Sequence, residues 1–322
     1  QSSVCVLARN IGFAAHLLCQ FDATFDLVNF RLPAQFYSPI FCVICFGRLD
    51  LPSGQQAVKP YNQQFKIKTI KAKTMANTID EVIARLTEII DESRRRSSRL
   101  GYFAALYRKV TINVKEGIAN NVFQDGQRMA RLDVNFANRY LKAYDLHRQG
   151  KQPTGAWQVS FDAAKRWRPL ILQHLLAGIY AHINLDLGIA AMETSPGEQL
   201  QSLQSDFEAI NHILFSLVQP VQDEIGQVSP WIGFLEKIDP SADDAVLNFS
   251  MRVARDSAWR FALRLNALDT KERSGAIQRR DRDITELGRL VVSPPGVVFN
   301  AGLTLIRLRE SNDIPRVIDL LS

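Results

Sequence analysis

Cysteine is confined to the start of the chain, and no cysteine follows Cys45. This absence excludes a disulfide framework and a cysteine nucleophile from everything after that residue. Cys42 and Cys45 form a C-x-x-C in "PIFCVICFG", but the sequence has no second pair to complete a metal site. The pattern therefore favours small apolar core residues at these positions over a metal or redox motif.

Net positive charge is almost confined to the same region, although the whole chain carries a net charge of +6. Residues 1–74 hold eight Lys/Arg against three Asp, whereas the remainder holds 31 Lys/Arg against 30 Asp/Glu. The remainder is therefore close to neutral, which argues against a nucleic-acid partner. Nucleotide-binding glycine loops, H-E-x-x-H and G-x-S-x-G are also absent, which removes several enzyme classes.

The first methionine is Met75, and no glutamate precedes Glu81. Directly after Met75, "NTIDEVIARLTEII" combines a capping-box spacing with apolar residues at helical intervals. Residues 1–74 have no sustained period, are interrupted by prolines and show neither a signal peptide nor a transmembrane segment. We expect residues 1–74 to be an extension outside the native domain, and 75–322 to be the domain, with its core at about 79–268.

The body lacks the alternating pattern of β-strands, and its apolar residues recur at helical spacing. The sequence predicts one all-α domain, an irregular extension before it and a buried central helix at about 169–192, with Pro169 as first residue. Residues 219–242 are expected to be a connection, and 271–282 a basic, polar stretch before a short helix. The other predicted helices cover residues 79–96, 101–118, 122–147, 160–167, 199–218 and 243–268.

The central helix is apolar nearly all round, yet "HLLAGIYAHINLDLGIA" carries four polar side chains. At 100° per residue, His182 and Asp186 lie one turn apart on one face, which suits two ligands of one metal ion or a carboxylate that orients an imidazole. His174 is about 12 Å further along the axis and needs another partner. Asn184 lies beside the same arc, and Gly178 and Gly188 leave room there for a helix, a water or an ion.

Other helices also carry polar residues within their apolar stripes. Asp133 lies in the stripe of 122–147, Asn211 and Asp206 lie in or beside that of 199–218, and Asp256 and Arg260 share a face of 243–268. Because unpaired polar groups are costly to bury, we expect Asp133, His182, Asp186 and Asn211 to converge. Two interpretations remain open: a metal or catalytic site, and a structural network of hydrogen bonds.

Three segments, "RMARLDVNFANRY", "LQHLLAGIYAHINLDLGIAA" and "DFEAINHILF", together resemble an uncharacterised bacterial family known only as a domain of unknown function. The resemblance covers roughly residues 79–268, and "AHINLDLG" is its most specific part. It implies an α-helical domain and gives no activity. "HINLD" is also similar to the His-x-x-x-Asp helix motif of zinc-dependent phospholipase C and related all-helical nucleases, in which only His182 and Asp186 match.

Two functions are consistent with these patterns. The first is a metal-dependent hydrolase in which His182, Asp186 and Asp133 bind a divalent ion such as zinc, His174 is a general base or supporting group, and Arg260 binds an anion. The second is a non-catalytic helical module that binds a small apolar molecule or a protein partner. In both cases we expect a cytoplasmic, bacterial protein without a nucleic-acid partner.

Overall fold

A computed structural model describes residues 75–230 and 243–322 of the chain, and every regular element in these ranges is a helix. The predicted all-α class with a central helix is therefore confirmed. The expectations for residues 1–74, including those for the cysteines, lie outside the described residues.

The first helices begin and end close to the predicted positions. Helix α1 (Ile79–Arg95) starts at Thr78, whose hydroxyl accepts a hydrogen bond from the backbone N–H of Glu81. The Glu81 carboxylate in turn accepts from the backbone N–H of Asn77, one residue before the cap. Helix α2 (Leu100–Ala119) follows a short turn at residues 96–99 and packs against α1. The elements that follow are α3 (Gly126–Arg148), α4 (Gly155–Ala164), α5 (Ile171–Thr194), α6 (Gln199–Ser202), α7 (Gln204–Gly226), α8 (Asp243–Ala267), α9 (Thr270–Val292), α10 (Val297–Arg307) and α11 (Ile314–Leu321).

Helix α5 is the centre of the domain, and α2, α3, α4, α8 and α9 pack around it. It meets the length and composition of a membrane span, but 83% of its most apolar window is buried inside the domain. Its glycines allow close packing: a Cβ on Gly188 would lie 2.6 Å from the carbonyl oxygen of Ala258, and one on Gly178 would lie 2.5 Å from the Phe103 ring. The room expected beside these glycines is therefore filled by α8 and by an aromatic side chain.

The start of α5 differs from the prediction, since the helix begins at Ile171 and Pro169 lies two residues before it. The Glu310 carboxylate accepts from the backbone N–H of Ile171, and the Gln173 side chain accepts from that of Leu170. These acceptors satisfy the free N–H groups of the first turn, so the proline is not needed there.

Two predicted boundaries are wrong for related reasons. Helix α7 continues through Pro220 to Gly226, where Ile225 is buried and Glu224 pairs with Lys109 at 2.6 Å. The basic stretch after 270 is part of α9, which begins with a capping box between Asp269 and Glu272. In both cases tertiary contacts and a cap outweigh a local signal, a proline or a run of charges.

Candidate functional site

The backbone of α5 changes from α-helix to π-helix where the polar residues lie. Between α-helical Ile171–Ile179 and Gly188–Thr194, residues Tyr180–Leu187 form a π-helix. Such segments are rare and occur frequently at functional sites. The residues from Ala181 to Leu187 are all buried, so "AHINLDL" combines an uncommon backbone with polar side chains in the core.

Aromatic rings enclose the imidazole of His182. Phe136 stacks on it with ring centroids 3.5 Å apart and planes 5° from parallel, and Tyr107 meets it edge-on at 4.5 Å. Phe103 and Trp157 follow at 5.6 and 5.8 Å. The rings come from α2, α3 and α4, so His182 lies where three helices meet the π-helical segment.

The two ring nitrogens of His182 have no hydrogen-bond partner, although the residue is only 3% exposed. Its Nδ1 lies 3.6 Å from Oδ2 of Asp186, beyond hydrogen-bond distance. Burial lowers the pKa of His182, and the nearby Asp186 carboxylate opposes this shift only in part. The imidazole is therefore neutral at physiological pH, with one donor and one acceptor nitrogen unused.

Asp186 is held on both of its oxygens. Arg139 Nε donates to Oδ1 at 3.0 Å, and the indole N–H of Trp157 donates to Oδ2 at 2.7 Å. Arg139 also lies 3.6 Å from the Glu193 carboxylate. Neither Arg139 nor Trp157 was among the predicted site residues. Arg139 borders the apolar stripe of α3, which was an available signal, whereas no pattern marks the indole of Trp157 as a donor.

Asp133 and Tyr107 add two more unpaired polar atoms in the core. Oδ2 of Asp133 and the hydroxyl of Tyr107 have no partner, and both residues are buried. Burial raises the pKa of Asp133 to about 7. Burial also raises the pKa of Tyr107, and the charges of Asp133 and Asp186 raise it further. Tyr107 contacts His182, and the charge of Asp133 acts on Tyr107, so we call Tyr107, Asp133, Phe136, His182 and Asp186 the His182 cluster.

The predicted three-ligand metal group is not assembled. Among residues 75–230 and 243–322, no set of three or more His, Cys, Asp or Glu side chains is placed to hold a metal ion. His182 and Asp186 do meet as expected, but both oxygens of Asp186 already accept hydrogen bonds from Arg139 and Trp157. A metal ion at Asp186 would have to displace one of these donors.

His174 lies in a different part of the core. Its ring meets Tyr102 edge-on at 5.9 Å, and its Nε2 has no partner. Burial, reinforced by Arg99, lowers the pKa of His174 to about 3. It lines a cavity of about 10 Å³, room for one water at most, together with Phe103, which also contacts His182.

The remaining polar candidates on α7 have partners away from the His182 cluster. The carboxylate of Asp206 accepts from Arg128 at 2.8 Å and from the backbone N–H groups of Gln124 and Asp125, so it fixes the turn before α3. The side-chain oxygen of Asn211 accepts from Arg255 Nε at 2.7 Å. Asn211 was expected to converge with His182, but its side chain contacts Arg255 instead.

Helix α8 presents a different face to the core from the one predicted. Asp256 and Arg260 are exposed, whereas Arg255, Ala258 and Ala262 are buried. The close contact between Ala258 and Gly188 explains the difference, because a tight helix crossing selects small residues and the prediction followed large ones. Arg255 was missed for the same reason; its guanidinium lies 4.4 Å from the centre of the Phe207 ring.

Asn184 is buried, and its side-chain oxygen and nitrogen both lack a partner. Its backbone carbonyl accepts from Arg280 Nε at 2.8 Å, and the same guanidinium donates to the hydroxyl of Ser257 at 2.8 Å. Because a π-helix shifts the usual hydrogen bonds, an arginine at this carbonyl stabilises the irregular segment. Arg280 is a further residue that the sequence analysis missed.

Comparison with known proteins gives a family and no activity. A search of curated proteins and a search of solved structures return no match. The similarity of "HINLD" to zinc-dependent phospholipase C stays a prediction. One family model matches residues 79–294, from the start of α1 to just after α9. The chain therefore belongs to the family of unknown function DUF5995.

Proposed function

We propose that the domain binds a small neutral molecule at the His182 cluster, one with an apolar body and at least one hydrogen-bonding group. The observation that carries this proposal is the set of unpaired polar atoms in the core: both nitrogens of His182, the hydroxyl of Tyr107 and Oδ2 of Asp133. Each unpaired group costs about 1–3 kcal/mol of stability, which a ligand with matching donors and acceptors would offset.

The protonation states favour a neutral ligand over an ion. The pKa of His182 is lowered and that of Asp133 is raised to about 7, so near neutral pH the imidazole is uncharged and about half of the Asp133 carboxyls are protonated. The Asp186 carboxylate is balanced by Arg139. Aromatic walls supply the apolar contact area, so a ligand smaller than a typical cofactor and free of net charge fits this chemistry.

Entry requires the helices to separate, because His182 is 3% exposed and Phe136 covers one face of its ring. The π-helical segment supports such a movement. A local return to α-helical hydrogen bonding would turn His182 relative to Asp186 without unfolding α5. Binding should therefore be slow and accompanied by a change at His182 itself.

A metal-dependent hydrolase is the second candidate. One observation favours it: an imidazole with two unused nitrogens lies 3.6 Å from a carboxylate oxygen. It requires Asp186 to release Arg139 or Trp157 and Asp133 to move towards the pair. Small-molecule binding requires the helices to separate for entry, but it leaves the hydrogen bonds of Asp186 intact, and this gives it the stronger support.

Benzyl alcohol and toluene are matched probes, because they share a ring and differ in the hydroxyl group. In nitrogen-detected NMR of the full chain, benzyl alcohol should shift the ring nitrogens of His182 saturably, and toluene should bind at least threefold more weakly. The His182→Phe variant should lose this preference, and the exposed His212→Phe should keep it. No response at His182 would contradict the proposal. One equivalent of Zn²⁺ bound by the wild type but not by Asp186→Asn would favour the hydrolase instead.

A further inference from the structure

Helix α10 exposes apolar side chains to an unusual degree. Val297, Leu305 and Leu308 are 87%, 67% and 62% exposed. Single exposed leucines are ordinary on protein surfaces, but a continuous group of them marks an interaction surface. The three residues and the exposed Ala301 are spaced by four, four and three positions, so they form one stripe about 16 Å long on one face of the helix.

An exposed tryptophan extends this stripe at the end of α10. The Trp167 ring is 42% exposed and lies 5.0 Å from the guanidinium of Arg307, whose Nε donates to the Trp167 carbonyl oxygen at 2.8 Å. These contacts tie the loop after α4 to the last turn of α10. Trp167 therefore lies beside the C-terminal end of α10, where the apolar stripe also ends.

Arginines without an acidic partner flank Trp167 and Leu308 in the sequence, and one of them, Arg166, donates a hydrogen bond to the hydroxyl of Ser293 at 3.0 Å. Arg166, Arg168 and Arg309 are exposed, and among the described residues none of them forms an ion pair. The neighbouring Lys165 differs, since it pairs with Asp162 at 2.7 Å. Positive charge beside an apolar stripe is complementary to a negatively charged surface with an apolar interior.

We propose that this surface, defined as Arg166, Trp167, Arg168, Val297, Leu305, Leu308 and Arg309, docks the protein on anionic phospholipid membranes. Leucine, valine and tryptophan side chains insert at the boundary between headgroups and acyl chains, and arginines bind the lipid phosphates. A second copy of the chain fits less well, because two-fold docking of this surface on itself would bring its unpaired arginines together. This inference goes beyond the binding function proposed for the His182 cluster and does not depend on it.

Vesicle co-sedimentation of the full chain tests the proposal. The wild type should bind vesicles of phosphatidylcholine with about one third phosphatidylglycerol, and binding should weaken severalfold in high salt or with phosphatidylcholine alone. Leu305→Glu should reduce binding at least tenfold. Removing the charge of Arg168 or Arg309 by substitution with Gln should reduce it about fivefold each.

Phe215→Glu is the matched control, because Phe215 is 62% exposed on α7 and lies outside this surface. It should bind vesicles like the wild type, and circular dichroism should show the same thermal unfolding for all variants. Absence of vesicle binding by the wild type, or equal binding by Leu305→Glu, would overturn the proposal. A dimer in light scattering that Leu305→Glu converts to a monomer, without any vesicle binding, would assign the surface to a second copy and overturn it as well.

Discussion

Replacing His182 by phenylalanine should make the protein more stable, which is unusual for a substitution of a fully buried polar residue. The two ring nitrogens have no partner, and the ring already stacks on Phe136 at 3.5 Å within an aromatic environment. Each unpaired nitrogen costs about 1–3 kcal/mol, so removing both recovers about 2 kcal/mol or more, and the extra volume of phenylalanine costs about 1 kcal/mol in crowding. We expect a net gain of about 1–2 kcal/mol in the free energy of unfolding.

Urea unfolding at neutral pH measures this gain directly, and a melting temperature higher by about 3–6 °C should accompany it. The advantage of His182→Phe should grow below pH 6.5. There the unfolded chain takes up a proton at this position, while the lowered pKa keeps the buried imidazole neutral, so the wild type loses stability as pH falls.

His174→Phe is the control, because His174 is similarly buried but only its Nε2 is a buried nitrogen without a partner. This variant should gain nothing at neutral pH. A loss of more than 1 kcal/mol in His182→Phe would refute the reasoning, since it would mean that ordered water or another group satisfies the imidazole and that the cluster is structural.

Three further predictions concern the surroundings of this residue. Asp133→Asn should stabilise the protein by roughly 3 kcal/mol more at pH 8 than at pH 5, as measured by urea unfolding. Because burial raises the pKa of the Asp133 carboxyl to about 7, the wild type loses stability as pH rises from about 4 to 7 and this carboxyl ionises in the core. Gly188→Ala should cost about 2 kcal/mol or more, because its Cβ would meet the Ala258 carbonyl oxygen at 2.6 Å. Gly275→Ala is the control and should cost nothing, because its Cβ would meet only the flexible end of Arg279 at 3.4 Å; thermal melts compare the two. Arg280→Met should lower stability by about 2 kcal/mol, because it leaves the Asn184 carbonyl unpaired. It should also shift the NMR signals of His182, a residue that Arg280 does not contact. Unchanged His182 signals would mean that the π-helical backbone does not determine the position of His182.

Periodicity was sufficient to predict the helices that bury a broad apolar stripe. Helix α1 is the clearest case, with Val82, Leu86 and Ile90 fully buried at the predicted spacing. Periodicity failed where the decisive contact comes from a distant part of the chain. The Glu310 carboxylate that caps α5 lies 139 positions away from Ile171, and no feature of the sequence near Pro169 predicts this contact.

The site was predicted in part for a similar reason. The i, i+4 relation between His182 and Asp186 is local, so it survives the change from α- to π-helix, and the structure places the two side chains together. Asn211 was expected to join them, but an ordinary 100° projection identifies only which face is buried and not which neighbour covers it. Arg255, from α8, reaches Asn211 first. Burial of polar residues was therefore predictable, and their pairing was not.

The two proposed sites differ in their position relative to the matched range: Arg166, Trp167 and Arg168 of the docking surface fall within residues 79–294, and its apolar stripe does not. The matched range of 79–294 contains the whole His182 cluster and Arg280, whereas α10 begins at Val297, after that range ends. Binding at the cluster is therefore expected to be a property of the family's shared domain. The apolar stripe of Val297, Leu305 and Leu308 lies after the matched range and is held against the domain by the contacts between Arg307 and Trp167. A loss of vesicle binding in Leu305→Glu should consequently leave the response of His182 to benzyl alcohol unchanged, because no residue of the stripe contacts the cluster among the described contacts.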